Sequence, residues 1–158
     1  MDSFEQQARD RLEAEGGFEL EQFAASFQLF RLATQYLSHL ESSIHRPQGI
    51  STAGFRVLFT VWAYDEMEPR QIARLSGVST AAVSGVLNTL VAGGLITKEQ
   101  DEKDRRLRQV QLTTEGREVL LTTYRNQNRM EKAFFSHMSG SELAELTSNL
   151  RALLGRLE

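Results

Sequence analysis

Apolar residues recur at steps of three and four through Leu20, Phe23, Phe27, Phe30, Leu37 and Ile44, with Thr34 and Glu41 interrupting the series. That period puts them on one face of a long helix that starts after Gly16-Gly17 and stops at Pro47 and Gly49. The acidic stretch before it, Met1 to Glu15, reads as a short extra helix or an arm. Ser51 stands where it can cap a following helix with Phe55, Leu58, Val61 and Trp62 on one side. Glu68-Pro69 opens a short helix, because proline at the first helical position gives up an amide that would find no partner there anyway. It runs to Ser76 and stops at Gly77. Ser79 caps the next helix, 79–92, which ends at Gly93-Gly94.

The pattern then turns from helical to alternating. Leu95 to Gln100 is a strand, Asp101 to Arg105 a charged turn, and Arg108 to Leu112 a returning strand in which Val110 and Leu112 alternate with Gln109 and Gln111. Beyond it, Val119, Leu120, Tyr124, Phe134 and Phe135 belong to one long helix. Ser139 with Glu142 forms a capping box for a last helix carrying Leu143, Leu146, Leu150, Leu153, Leu154 and Leu157. The fold class is mainly α with a small β-hairpin wing (α+β). Its parts are an arm or short helix (1–17), a long N-terminal helix (18–50), a compact winged helix-turn-helix lobe (51–113) and C-terminal helices (114–158).

Within Arg70 to Leu90 the spacing has steric reasons. Ala73 is small where a second helix crosses, and Gly77 permits the left-handed backbone of a tight inter-helix turn. Val83, Val86, Leu87 and Leu90 form a stripe that packs the second helix inward. This leaves Thr80, Ala81, Ser84, Asn88 and, further round, Gly85 and Thr89 outside. Such short, uncharged, hydrogen-bonding groups suit a helix in the major groove: hydroxyls serve several base edges, and Asn can pair bidentately with adenine. Small residues at a helix start also serve capping and close packing, so the motif by itself is compatible with a purely structural turn.

Charge separates these readings. The net charge of -3 argues against nucleic acid, but its distribution does not. From Met1 to Pro69 the balance is -6 and from Gln109 to Glu158 it is zero, whereas Arg70 to Arg108 carries +3. The hairpin contributes Lys98, Lys103, Arg105, Arg106 and Arg108, and arginine on a protruding turn can enter the narrow minor groove of A/T-rich DNA. A solvated charged turn is the competing reading, because Glu99, Asp101, Glu102 and Asp104 nearly offset these cations. The residues expected at DNA are Gln71, Arg74, Ser79, Thr80, Ala81, Ser84, Asn88 and Thr89, with Lys98, Lys103, Asp104, Arg105, Arg106 and Arg108 of the wing.

Composition excludes several classes. With no cysteine there is no disulfide, thiolate metal site or thiol redox switch. His39, His45 and His137 lack metal-ligand spacing, and no cofactor is implied. No nucleophile elbow, P-loop or dinucleotide fingerprint occurs, so an enzyme is not expected. No run approaches the roughly 18 apolar residues of a membrane span, and the acidic N-terminus is unlike a signal peptide, so a cytoplasmic protein is expected.

The segment LVAGGLITKEQDEKDRRLRQVQLTTEG, Leu90 to Gly116, resembles the signature of the MarR family of bacterial regulators. It has Gly94-Leu95-Ile96 leading into the wing, the Asp104-Arg105-Arg106 wing motif, and Val110-x-Leu112-Thr113-x-x-Gly116 running into the next helix. In helix order the likeness extends from Leu20 to Leu157, leaving residues 1–17 outside. It implies a triangular helical dimer with two winged lobes, each recognition helix in a major groove at one half of a pseudo-palindrome. It also implies repression of transcription, with release of DNA when a small phenolic or other aromatic acid binds between the dimer helices and the lobe. One departure is that Gly85 and Thr89 stand where family members often carry a basic residue. Base readout then rests on Thr80, Ser84 and Asn88, with much of the affinity from the wing.

Dimerisation is also expected from the apolar pattern, because Leu20, Phe23, Phe27 and the leucine series 143, 146, 150, 153, 154 and 157 bury only part of their surface in a monomer of this layout. At roughly 25 cal/mol per Å² the remainder is a strong drive to pair, unless the helices pair within one chain. Phe27, Phe30, Tyr36, His39, Arg56, Phe59 and Trp62 are the candidate effector contacts, offering an apolar slot with a cation and hydroxyl. Aromatics at helical spacing also serve as core. The alternative function is a winged-helix module that binds protein and has no specific DNA readout.

Overall fold

The computed structural model describes residues 4–100 and 107–157. The chain divides into two compact units, Met1–Thr52 and Ala53–Glu158.

The first unit is a helical hairpin. Helices α1 (Phe4–Glu15) and α2 (Leu20–His39) are joined through Gly16 and Gly17, whose φ values of 73° and 79° are strained for any residue with a side chain. Phe4 stacks on Phe27 with ring centroids 5.8 Å apart, Phe27 lies 5.9 Å from Phe23, and Arg9 pairs with Glu21. The segment left open between helix and arm is therefore a helix packed on α2. Helix α2 itself stops earlier than its apolar period predicts. A π-helical turn (Leu40–His45) and a 3-10 turn (Arg46–Gln48) follow, closed by Gly49 at φ 77°. The π turn bonds residues five apart, and the buried residues here, Leu40, His45 and Ile50, follow at steps of five.

Glu41, which interrupts the apolar stripe, is used by this turn. Its carboxylate accepts the Thr52 backbone N–H and the Arg46 Nε–H. The Thr52 amide is the main reason its carboxyl is held below the usual value, with the Thr52 hydroxyl and Arg46 adding and burial opposing. His45 Nδ1 and Thr52 Oγ1 share a hydrogen bond of 2.7 Å.

The second unit contains the lobe. Its elements are α3 (Thr52–Tyr64, all but its first residue), β1 (Glu66–Met67), α4 (Pro69–Ser76), α5 (Thr80–Ala92), β2 (Ile96–Gln100), β3 (Leu107–Leu112), α6 (Thr114–Phe134) and α7 (Gly140–Leu154). Leu58, Ile72, Leu87, Ile96, Val110 and Leu120 form its fully buried centre. Phe59 joins α3 to α6 through Tyr124 at 5.3 Å and also touches Phe55 and Trp62. The hairpin is part of a three-stranded antiparallel sheet in the order β1-β3-β2. Strand β1 was not anticipated, because two residues are too few to show a period. It pairs Glu66 with Gln111 and Met67 with Val110, and the side-chain amides of Gln109 and Gln111 each donate to the Glu66 carboxylate at 3.0 Å.

The step from wing to α6 explains the Thr113-x-x-Gly116 spacing. Thr113 Oγ1 donates to the Gly94 carbonyl at 2.7 Å and accepts the Gly116 N–H at 2.9 Å, so one hydroxyl caps α6 and ties it to the end of α5. A Cβ on Gly116 would lie 1.9 Å from the Leu95 carbonyl oxygen, which leaves room for no other residue. At the C-terminus two expectations are corrected. Phe135 is the C-cap of α6, and Leu157 lies beyond α7, which closes at Leu154.

Candidate nucleic-acid interface

Helices α4 and α5 meet at 110°, within the range of a helix-turn-helix. The turn is built as its residue types require. Gly77 takes φ 64°, Ser76 Oγ accepts the Val78 N–H at 3.2 Å, and Ser79 Oγ accepts the Ala82 N–H at 3.3 Å. Ala73 is buried, and Val83, Leu87 and Leu90 turn inward. Consequently Ser79, Thr80, Ala81, Ser84, Asn88 and Thr89 are all exposed on the outer side of α5 and its cap. At the turn, Arg70, Ala73, Arg74, Gly77, Val78, Ser79 and Thr80 line an open concavity of about 680 Å³. Arg70 and Arg74, four apart on α4, put two cations at its edge. Arg70 was absent from the sequence-derived set, although its i, i+4 spacing from Arg74 was a usable signal.

Some expected contacts already have work in the free chain. Gln71 Oε1 accepts the Glu68 N–H at 3.1 Å and so serves the start of α4. The Thr89 hydroxyl donates to the Gly85 carbonyl at 3.0 Å, leaving its methyl and oxygen lone pairs for outward contact. Lys98 of β2 reaches across to α5, where its Nζ donates to Asn88 Oδ1 at 2.6 Å. Lys103, Asp104, Arg105 and Arg106 lie outside the described residues. Arg108 lies on β3.

The candidate effector residues fall in both units. In the first, Phe27 is held by Phe4 and Phe23, Phe30 is 73% exposed, Tyr36 is half-buried, and His39 Nδ1 lies 3.4 Å from Ser43 Oγ. In the second, Phe59 sits among Phe55, Trp62 and Tyr124. Trp62 also borders a cleft of about 370 Å³ with Asp65, Glu66, Gln111 to Thr114 and Arg117. The Arg56 guanidinium lies over the Gly77 turn, where a Cβ would meet its Nη2 at 2.0 Å.

The model of the MarR family matches residues 50–107, which contain the turn, α5 and the first half of the wing. A Bacillus subtilis HTH-type transcriptional regulator, YwaE, is 30% identical over 87% of this chain and 81% of its own length. The chain belongs to the MarR family. It is accordingly a DNA-binding transcription regulator. Among solved structures, a mutant E. coli MarR in complex with operator DNA is similar with a TM-score of 0.73 and 20% identity, covering 87% of this chain and 99% of its own. Bordetella bronchiseptica BpsR, whose DNA binding is regulated by 6-hydroxynicotinic acid, is similar with a TM-score of 0.73 and 22% identity, covering 82% and 98%. In this MarR-family chain no single helix among the described residues is long and apolar enough to cross a membrane.

Proposed function

We propose that this MarR-family regulator acts in the cytoplasm as a homodimeric repressor of a pseudo-palindromic operator. Recognition helix α5 enters the major groove and the wing meets the minor groove. The observation that carries this reading is the outer side of α5, exposed, uncharged and rich in hydroxyl and amide groups, beside a concavity edged by Arg70 and Arg74. Those groups suit base edges, while the arginines suit the phosphate backbone. Two-fold pairing sets the half-sites about one helical turn apart. Release by a small aromatic or phenolic acid is the regulatory part of the proposal, by analogy with BpsR.

The test is binding of the purified protein to a duplex from its own upstream intergenic region, with and without Arg105→Ala plus Arg106→Ala. Tight, competitor-resistant binding that the double variant loses supports the reading, and addition of 6-hydroxynicotinic acid or simple phenolic acids should then weaken the complex. Absence of binding at low salt over several upstream duplexes overturns it. A true reader also loses affinity steeply as salt rises, because each neutralised phosphate releases counterions.

A further inference from the structure

We propose that Lys98 sets which base Asn88 reads, turning it from an adenine reader into a guanine reader. This rests on the operator-binding reading above. An ammonium carries hydrogen-bond donors only. The Asn88 atom facing Lys98 Nζ at 2.6 Å is therefore the carbonyl oxygen, and the amide cannot flip without placing donor against donor. Asn88 is exposed on α5 and Lys98 is half-buried on β2, with its backbone in register with buried Val110 at the centre of the sheet. The cation is thus delivered from a strand held by the core, and the recognition helix receives it.

The consequence is a matter of donors and acceptors. Asparagine pairs with adenine by accepting from N6 through Oδ1 while donating to N7 through Nδ2. In this chain Oδ1 is occupied by Lys98, so Asn88 offers its two Nδ2 hydrogens alone. The second lone pair of Oδ1 does not restore adenine, because the N6 amino group would meet the ammonium. Guanine presents adjacent acceptors, O6 and N7, on its major-groove edge and no donor beside them. The Nδ2 hydrogens and the neighbouring ammonium both match that edge.

The experiment is selection by the full-length protein from a pool of duplexes with a randomised core about two helical turns long (~20 bp). The wild type should enrich a half-site in which one position, the one that Asn88→Ala flattens, is guanine over adenine by roughly tenfold. Lys98→Met frees Oδ1 and should move that position towards adenine, while Lys98→Arg, which keeps the donors, should retain guanine. Circular dichroism melting of each variant checks that the lobe is folded. Adenine at the Asn88-dependent position in the wild type, an unchanged preference in Lys98→Met, or no position that Asn88→Ala flattens each overturns the proposal. A wild-type protein that enriches no sequence overturns the operator reading beneath it and this proposal with it, and that outcome is distinct from the other three.

Discussion

In the lobe, Leu58, Ile72, Leu87 and Leu120 are closed off from solvent, whereas in α7 Leu150, Leu153 and Leu154 are 46%, 54% and 59% exposed. The same contrast holds in α2, where Leu29, Phe30, Leu32 and Leu37 are 50%, 73%, 51% and 46% exposed. Residue type is the same in both places; burial is not. The lobe closes a core of its own through α3, α4, α5, the sheet and α6, so its stability belongs to one chain. The terminal helices carry exposed apolar faces, which the proposed pairing with a second copy would cover.

The largest effect should come from breaking the self-contained side. Leu120 is fully buried on α6, and Leu120→Ala should cost about 3 kcal/mol through lost burial and the cavity left behind. For a chain of this size that lowers the melting midpoint by roughly 10 °C. Leu150→Glu with Leu153→Glu should act on the other side. The lobe should stay folded by circular dichroism while light scattering at micromolar concentration shifts from dimer to monomer and operator binding falls. A monomeric wild type in that assay would remove the basis for two-fold readout. A smaller effect is expected at the turn that joins α4 and α5. Gly77→Ala forces a side chain into φ 64° and displaces the Arg56 guanidinium, costing about 1 kcal/mol, to be read from denaturant midpoints. Because Arg56 is long and flexible, the displacement adds little beyond the backbone strain.

Much of the lobe was legible because each of its devices is local. Gly77, the Ser79 cap and the Val83-Val86-Leu87-Leu90 stripe each follow from residue types within a few positions; they stand as expected, with Val86 half-buried at the edge of the stripe, and outside the lobe the Ser139–Glu142 box does too. What escaped was tertiary or off-period. The π turn after α2 is invisible to a search for steps of three and four, and Glu41 read as an interruption because its partner, Thr52, lies eleven residues on. The pairing of Lys98 with Asn88 depends on how β2 lies against α5, which no spacing encodes. Arg56 is a candidate cation for an effector; that its guanidinium lies over Gly77 is a placement set by a long flexible side chain, which no spacing encodes. Phe23 and Phe27 are candidates for a subunit interface, and the stripe gave no sign that Phe4 would stack on Phe27.

The smallest effect is a pH dependence at the end of α2. Among the described residues, the carboxyls held clearly below their usual value are Glu41, through the Thr52 amide, and Glu142, through Ser139. Neither belongs to the buried centre of the lobe: Glu41 follows α2 in the first unit, and Glu142 lies in the first turn of α7 in the second. For Glu41 the folded state favours the ionised form. Its contribution is therefore complete above the ordinary value of 4.5 and is lost as pH falls through the lower folded value. Glu41→Gln keeps an acceptor for the Thr52 amide but removes the charge. It should melt slightly below the wild type at neutral pH, and the gap should close in acid as the wild-type carboxylate takes up its proton. Melting curves of the two proteins across that range provide the check. A gap that stays constant with pH would mean that Glu41 holds the π turn by shape and hydrogen bonding alone.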